Sequence, residues 1–182
     1  SVNTHVNENF VTKFFLFFFE ILIAPSFSKK ALALLKNKKK LIVLKSKFLI
    51  NINKEYKSIP GGYLEQEKDK VPITKNNLKK VTSRKVSKKI IRDMIFAISV
   101  CKHVKSNAIV LANNEQVLGI GAGQTSRIDS INFAIKKLRE NFNNNKNFVL
   151  ASDGFFPFKD NIKILHKFNC LGVLQPGGSK ND

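Results

Sequence analysis

Apolar and polar positions along this chain alternate between helical spacing and short continuous runs. Ser28 precedes KKALALLKNKKK, whose Ala and Leu residues recur at helical spacing behind a good N-terminal capping residue. A second helix is expected from near Ser87, with Ile91, Met94, Ile95 and Ile98 on one face and Ile90 beside it. A third is expected from about 127 to 140, placing Ile128, Ile131, Ile135 and Leu138 in a core, and a fourth over 160–168. Between them lie the apolar runs AIVLA (108–112), QVLGIG (116–121), FVLAS (148–152) and CLGVLQ (170–175), which predict buried strands. Asn113-Asn114 suits a tight hairpin turn between the first two. The order helix, hairpin, helix, strand, helix, strand predicts an α/β layer around a mixed sheet.

The first half is less regular. Residues 1–13 are polar and read as the tail of a broken element. FFLFFFEILIA (14–24) is shorter than the roughly 18–20 residues that span a bilayer. Lys13 bounds it and Glu20 interrupts it, so a core strand or core helix is expected, with a signal peptide as the alternative. LIVLK (41–45) and FLINI (48–52) read as short strands. SIPGGYLEQEKD (58–69) reads as a turn into an exposed strand, punctuated by Pro60-Gly61-Gly62, and 70–87 as a surface linker.

Composition changes this picture little. The 182 residues are 43% hydrophobic, enough for a core. The net charge of +19 first suggests nucleic acid. However, 28 of the 32 basic residues are Lys and only four are Arg, in a chain also rich in Asn, Ile and Phe. These types share AT-rich codons, whereas nucleic-acid surfaces favour Arg for forked contacts. A basic nucleic-acid-binding protein is therefore the alternative reading, and no specific nucleic-acid partner and no membrane are expected. Cys101 and Cys170 form no metal or redox spacing and suit a reducing, cytoplasmic setting. The start at Ser1, with Met94 the only methionine, suggests a fragment or processed product.

Candidate chemistry concentrates in three loops. In GIGAGQTSRID, Gly119, Gly121 and Gly123 alternate, so the backbone is free to turn sharply and approach a ligand. Ser126 and Asp129 form a capping box that marks a helix start. Arg127 sits in that first turn, where a cation opposes the helix dipole unless an anion lies near. In SDGFFPFKD, phenylalanines around Pro157 form an apolar ledge, flanked by Asp153 and Asp160, that suits a flat heterocycle. In KHVKSNAIV, Ser106 and Asn107 open a buried strand, and Asn offers both donor and acceptor to an amide ligand. Each loop also has a plain structural reading: a strand-turn-helix with a surface Arg, a core-plugging turn, and a strand-start polar pair. His103 has no orienting carboxylate nearby in sequence and reads as structural. No H-x-E…P-C-x-x-C zinc signature occurs.

In order, FFEILIAPSFS (18–28), SIPGGYLEQEKD (58–69), KHVKSNAIV (102–110), GIGAGQTSRIDS (119–130), ASDGFFPFKDNI (151–162) and QPGGS (175–179) resemble the AICAR transformylase/IMP cyclohydrolase family of purine biosynthesis. The resemblance covers nearly the whole chain. It implies a cytidine-deaminase-like layered sheet with flanking helices and without zinc. Residues 1–80 would be the end of a first transformylase subdomain and its connecting segment, and 81–182 most of a second. It implies formyl transfer from 10-formyltetrahydrofolate, as co-substrate, to AICAR, across a homodimer. Asn107, Arg127 and Phe155 would contact the nucleotide. Ser126, Ile128, Pro157, Phe158 and Asp160 would lie towards the folate, and Asn107 and Asp160 would be catalytic. Asp153 and Ser106 would belong to a potassium site. Lys102-His103 is not the family's catalytic Lys-His pair, which the resemblance places upstream of this chain. The cyclohydrolase domain and the C-terminal segment with its Arg are also expected to be missing, so the chain alone is expected to be inactive. Gly154 stands where the family usually has Ala, and Lys159 where it usually has Arg.

Overall fold

A computed structural model describes residues 1–46, 53–142, 146–156 and 159–178, and for Lys159 and Asp160 the backbone alone. The strand expected over 48–52 lies outside the described residues. The chain divides into two compact units, Ser1–Asp69 and Lys70–Asp182. Position 80, the expected subdomain boundary, falls inside the second of them.

In the first unit, α1 (Glu8–Phe14) follows Asn7, whose side chain accepts the Phe10 N–H. Residues expected to be a polar tail thus start a capped helix. Strand β1 (Ile21–Ala24) pairs in parallel with β2 (Ile42–Lys45) around α2 (Lys29–Leu35). Ser28 caps α2 as predicted, accepting the Ala31 N–H at 3.0 Å. Val6, Val11, Leu22, Ala24, Ala31 and Leu35 form a small core.

The Phe-rich run corrects its expectation. Helix α1 ends at Phe14, and only β1, at the end of the run, is buried, through Leu22 and Ala24. Leu16 is 96% and Phe18 87% exposed. A sequence run reports apolar content but not whether a partner surface reaches it. The 58–69 segment belongs to a hairpin of β3 (Lys54–Ile59) and β4 (Gly62–Glu67), turned at Gly61 with φ +82°. Both of its strands are exposed throughout.

The second unit is the predicted α/β layer. Helix α3 (Lys88–Cys101) is capped by Ser87 and packs on one face of a four-stranded sheet. Strands β5 (Ile109–Asn113), β6 (Gln116–Gly121), β7 (Phe148–Ser152) and β8 (Cys170–Leu174) stand in the order β6-β5-β7-β8. The first two pairings are antiparallel and β7–β8 is parallel, so the sheet is mixed. Helices α4 (Arg127–Asn141) and α5 (Lys159–His166) follow β6 and β7. Period-2 alternation divides the core. Ala108, Val110, Ala112, Val149 and Ala151 meet α3. Ile109, Leu111, Phe148 and Leu150 join Ile131, Ala134, Ile135 and Leu138 of α4.

The buried face of α3 is rotated from expectation, while α4 buries Ile131, Ile135 and Leu138 as predicted. On α3 the buried residues are Asp93, Met94, Ala97 and Cys101, while Ile91 and Ile95 are half-buried. On α4 Ile128 is half-buried and Ser130 is fully buried. The β5–β6 turn is centred on Asn114-Glu115, both with φ 53°, one residue later than predicted. Buried Asp93 fixes it by accepting the Glu115 N–H at 2.9 Å.

Candidate functional site

Sheet register gathers the three candidate loops. Ile109 pairs with Gly121 on one side and with Ser152 on the other. The start of β5 and the ends of β6 and β7 therefore lie at one end of the sheet. Because β8 runs parallel to β7, its C-terminal end arrives there too, and the Gln175 side chain accepts the Phe156 N–H at 2.7 Å.

Asn107 is held by the loop before α4. Its side-chain amide donates to the Gln124 and Thr125 carbonyls at 3.0 and 3.2 Å. Its own carbonyl accepts the Ser130 hydroxyl at 2.8 Å. The Ser106–Asn107 peptide is cis. Ser126 caps α4 through the Asp129 N–H at 3.1 Å, and the Ser126 hydroxyl donates to the Asp129 carboxylate at 2.6 Å. The predicted helix start at Ser126 is present.

Asp153 is the hub. One carboxylate oxygen accepts the Ser106 hydroxyl. The other accepts the Ala108 N–H and an Arg127 N–H, both at 3.1 Å. The Arg127 Nε donates to Ser152 Oγ at 3.3 Å, and that hydroxyl donates to the Gly154 carbonyl at 2.7 Å. Burial alone would raise the Asp153 pKa. The hydrogen bonds from Ser106 and Ala108 and the Arg127 charge outweigh it, and the carboxyl is held below its ordinary value. The anion that offsets Arg127 at the helix N-terminus is thus supplied by the chain itself. Arg127's placement alone therefore no longer argues for a bound anion.

The glycine alternation has a packing origin. A Cβ on Gly119 would lie 2.1 Å from the Ala134 carbonyl oxygen, and one on Gly121 1.9 Å from that of Ser130. Both glycines let α4 lie directly on β6 rather than admitting a ligand. Of these three glycines, Gly123 alone takes positive φ, +66°. The aromatic ledge is also divided: Phe155 is 41% exposed, while Phe156 is 6% exposed and part of the core. Pro157 and Phe158 lie outside the described residues, as does the Asp160 side chain. His103 is exposed at the end of α3, its N–H on the Val100 carbonyl. Among the described residues, no three His, Cys, Asp or Glu side chains gather as a metal site, and no helix is long and apolar enough to cross a membrane.

Sequence reading missed Ser130, Ser152 and Gln124. Ser130 carried a signal, since a hydroxyl beside Ile131 on an apolar helix face requires a partner. Ser152 and Gln124 carried none, because their contacts arise from register. A groove of about 570 Å³ on the outer face of α4, lined by Ile135, Arg139 and Phe168 among others, shares no lining residue with this network.

Residues 1–137 match the family model described as AICARFT/IMPCHase bienzyme. The bifunctional purine biosynthesis protein PurH of Caldicellulosiruptor bescii is 45% identical over 182 residues, 99% of this chain and 35% of that protein. The PurH of a Thermoanaerobacter species is 42% identical over 182 residues, 100% of this chain and 35% of its own. That of Caldicellulosiruptor saccharolyticus is 45% identical over 170 residues, 91% of this chain and 32% of its own. The chain spans about a third of the length of these relatives.

Proposed function

This chain belongs to the AICARFT/IMPCHase bienzyme family, and from that premise we propose that its second unit holds the nucleotide in formyl transfer from 10-formyltetrahydrofolate to AICAR. The observation that carries the reading is the arrival at one end of the sheet of Asn107, held by the 124–125 loop, and of the Arg127–Asp153 pair, two residues before the exposed Phe155. The reading includes a cytidine-deaminase-like fold, a cytoplasmic setting and a homodimer for the whole protein.

The chemistry asks for such a site. The AICAR amine is a weak nucleophile because its electron pair delocalises into the ring and carboxamide. Its nitrogen attacks the formyl carbon, the tetrahedral adduct collapses, and N10 of the folate leaves carrying a proton. Orientation and proton transfer govern such a step. Asn107 orients the carboxamide, Arg127 steers an oxygen when its guanidinium turns from Asp153 to the ligand, and Phe155 stacks on the flat ring. Ser126 and Ile128, at the start of α4, would serve the folate together with Pro157, Phe158 and Asp160. A potassium ion would meet Asp153 at a carboxylate already neutralised by Arg127. The arrangement described does not fit that ion, and no step runs through it.

Calorimetric titration of the chain with AICAR tests the reading. Binding is expected, and Arg127→Ala should weaken it by at least about tenfold, or ~1.4 kcal/mol. Absence of AICAR binding together with tight, salt-dependent RNA binding would instead support the nucleic-acid alternative.

A further inference from the structure

Gly154 follows the Asp153 hub, and its missing side chain is occupied by another residue. A Cβ built on Gly154 would lie 2.0 Å from Arg127 Nη2 and 2.7 Å from Cζ. The guanidinium thus lies across the glycine backbone in space that any side chain would take. That seat lets Arg127 reach Ser152 Oγ and Asp153 together. Both partners of the ion pair are largely shielded, at 22% and 16% side-chain exposure. The clash involves the far end of a flexible side chain, so relief would come from movement of the arginine and not of the backbone.

We infer that Gly154 is a positioning residue: it folds Arg127 back onto Asp153, so that a ligand recruiting Arg127 must first compete with the chain's own carboxylate. A side chain at 154 would release the guanidinium towards solvent while leaving the Asp153 bonds to Ser106 and the Ala108 N–H in place. The competition with ligand rests on the proposed AICAR reading. The seat itself does not.

The test uses the full 182-residue chain labelled with nitrogen-15, with and without Gly154→Ala. The chain has four arginines, so four Nε–H signals are expected, and the one lost in Arg127→Lys identifies Arg127. In the parent chain this signal should exchange slowly with water. In Gly154→Ala it should exchange as fast as a free arginine, while the Ala108 amide stays protected, showing that the fold is kept. AICAR affinity should then rise by about threefold or more, as expected when a partly shielded ion pair no longer competes. The Nε–H donates to Ser152 Oγ, so Ser152→Ala, which removes that acceptor without adding a Cβ at 154, should likewise speed Arg127 exchange. Undiminished Arg127 protection in Gly154→Ala overturns the seat, and lost protection with unchanged or weaker AICAR affinity overturns the competition. If neither chain binds AICAR, the proposed function falls while the exchange data still decide the seat.

Discussion

The Ser130 hydroxyl, fully buried on α4, donates to the Asn107 carbonyl at 2.8 Å and ties the helix to the loop that opens β5. A helix hydroxyl facing a core is stabilising only when its partner is in place. Ser130→Ala leaves the Asn107 carbonyl without this donor and should cost about 1–2 kcal/mol. Urea unfolding should show a lower midpoint with an unchanged slope. An unchanged midpoint would mean that the bond contributes nothing.

Asp153 should make stability depend on acid. Its folded pKa lies below its unfolded value, so its contribution is complete above the unfolded value and is lost as pH falls through the folded one. Unfolding free energy should therefore begin to drop below about pH 5. Asp153→Asn should lower stability at neutral pH and flatten that acid limb. An identical acid limb in the variant would assign the dependence to other carboxylates.

Gly121→Ala should be costly, because its Cβ would meet the Ser130 carbonyl oxygen at 1.9 Å and force α4 off the sheet. A loss of at least about 1–3 kcal/mol is expected from overpacking. Gly62→Ala, with nothing within 4 Å, is the control and should change thermal stability little. Equal melting temperatures for the two variants would refute the packing role.

Both thiols should be inert in the native protein. Burial, reinforced by the Asp153 charge and partly offset by Arg127, pushes the Cys101 pKa up to about 12. Burial pushes Cys170 up to about 11, against the effect of the Gly172 backbone. Thiolate is the reactive species, so iodoacetamide at about pH 8 should label neither until urea is added. Rapid native labelling of Cys101 would contradict its buried position.

Much of this architecture was legible in the chain because local patterns encode it. Ser28, Ser87 and Ser126 cap helices where a cap was expected, and AIVLA and FVLAS form the doubly covered central strands. Errors arose where a pattern admits two partners. Phe14–Phe18 read as core but stay exposed, since hydrophobicity does not name the surface that covers it. Gly119 and Gly121 read as room for a ligand, and that room is filled by α4. The site was legible as three separate loops. The bonds of Ser130 to Asn107 and of Arg127 to Asp153 were not, because separations of 23 and 26 residues leave no local signal.

Sequence alone determined the element order of the second unit, the starts of α2, α3 and α4, and the family, since spacing, capping and long specific strings are local properties of the chain. Tertiary structure alone decided that Asp153 supplies the anion for Arg127 and that Gly154 gives the guanidinium its seat. The physical reason is register: pairing Ile109 with both Gly121 and Ser152 brings three distant loops to one end of the sheet, within hydrogen-bonding distance.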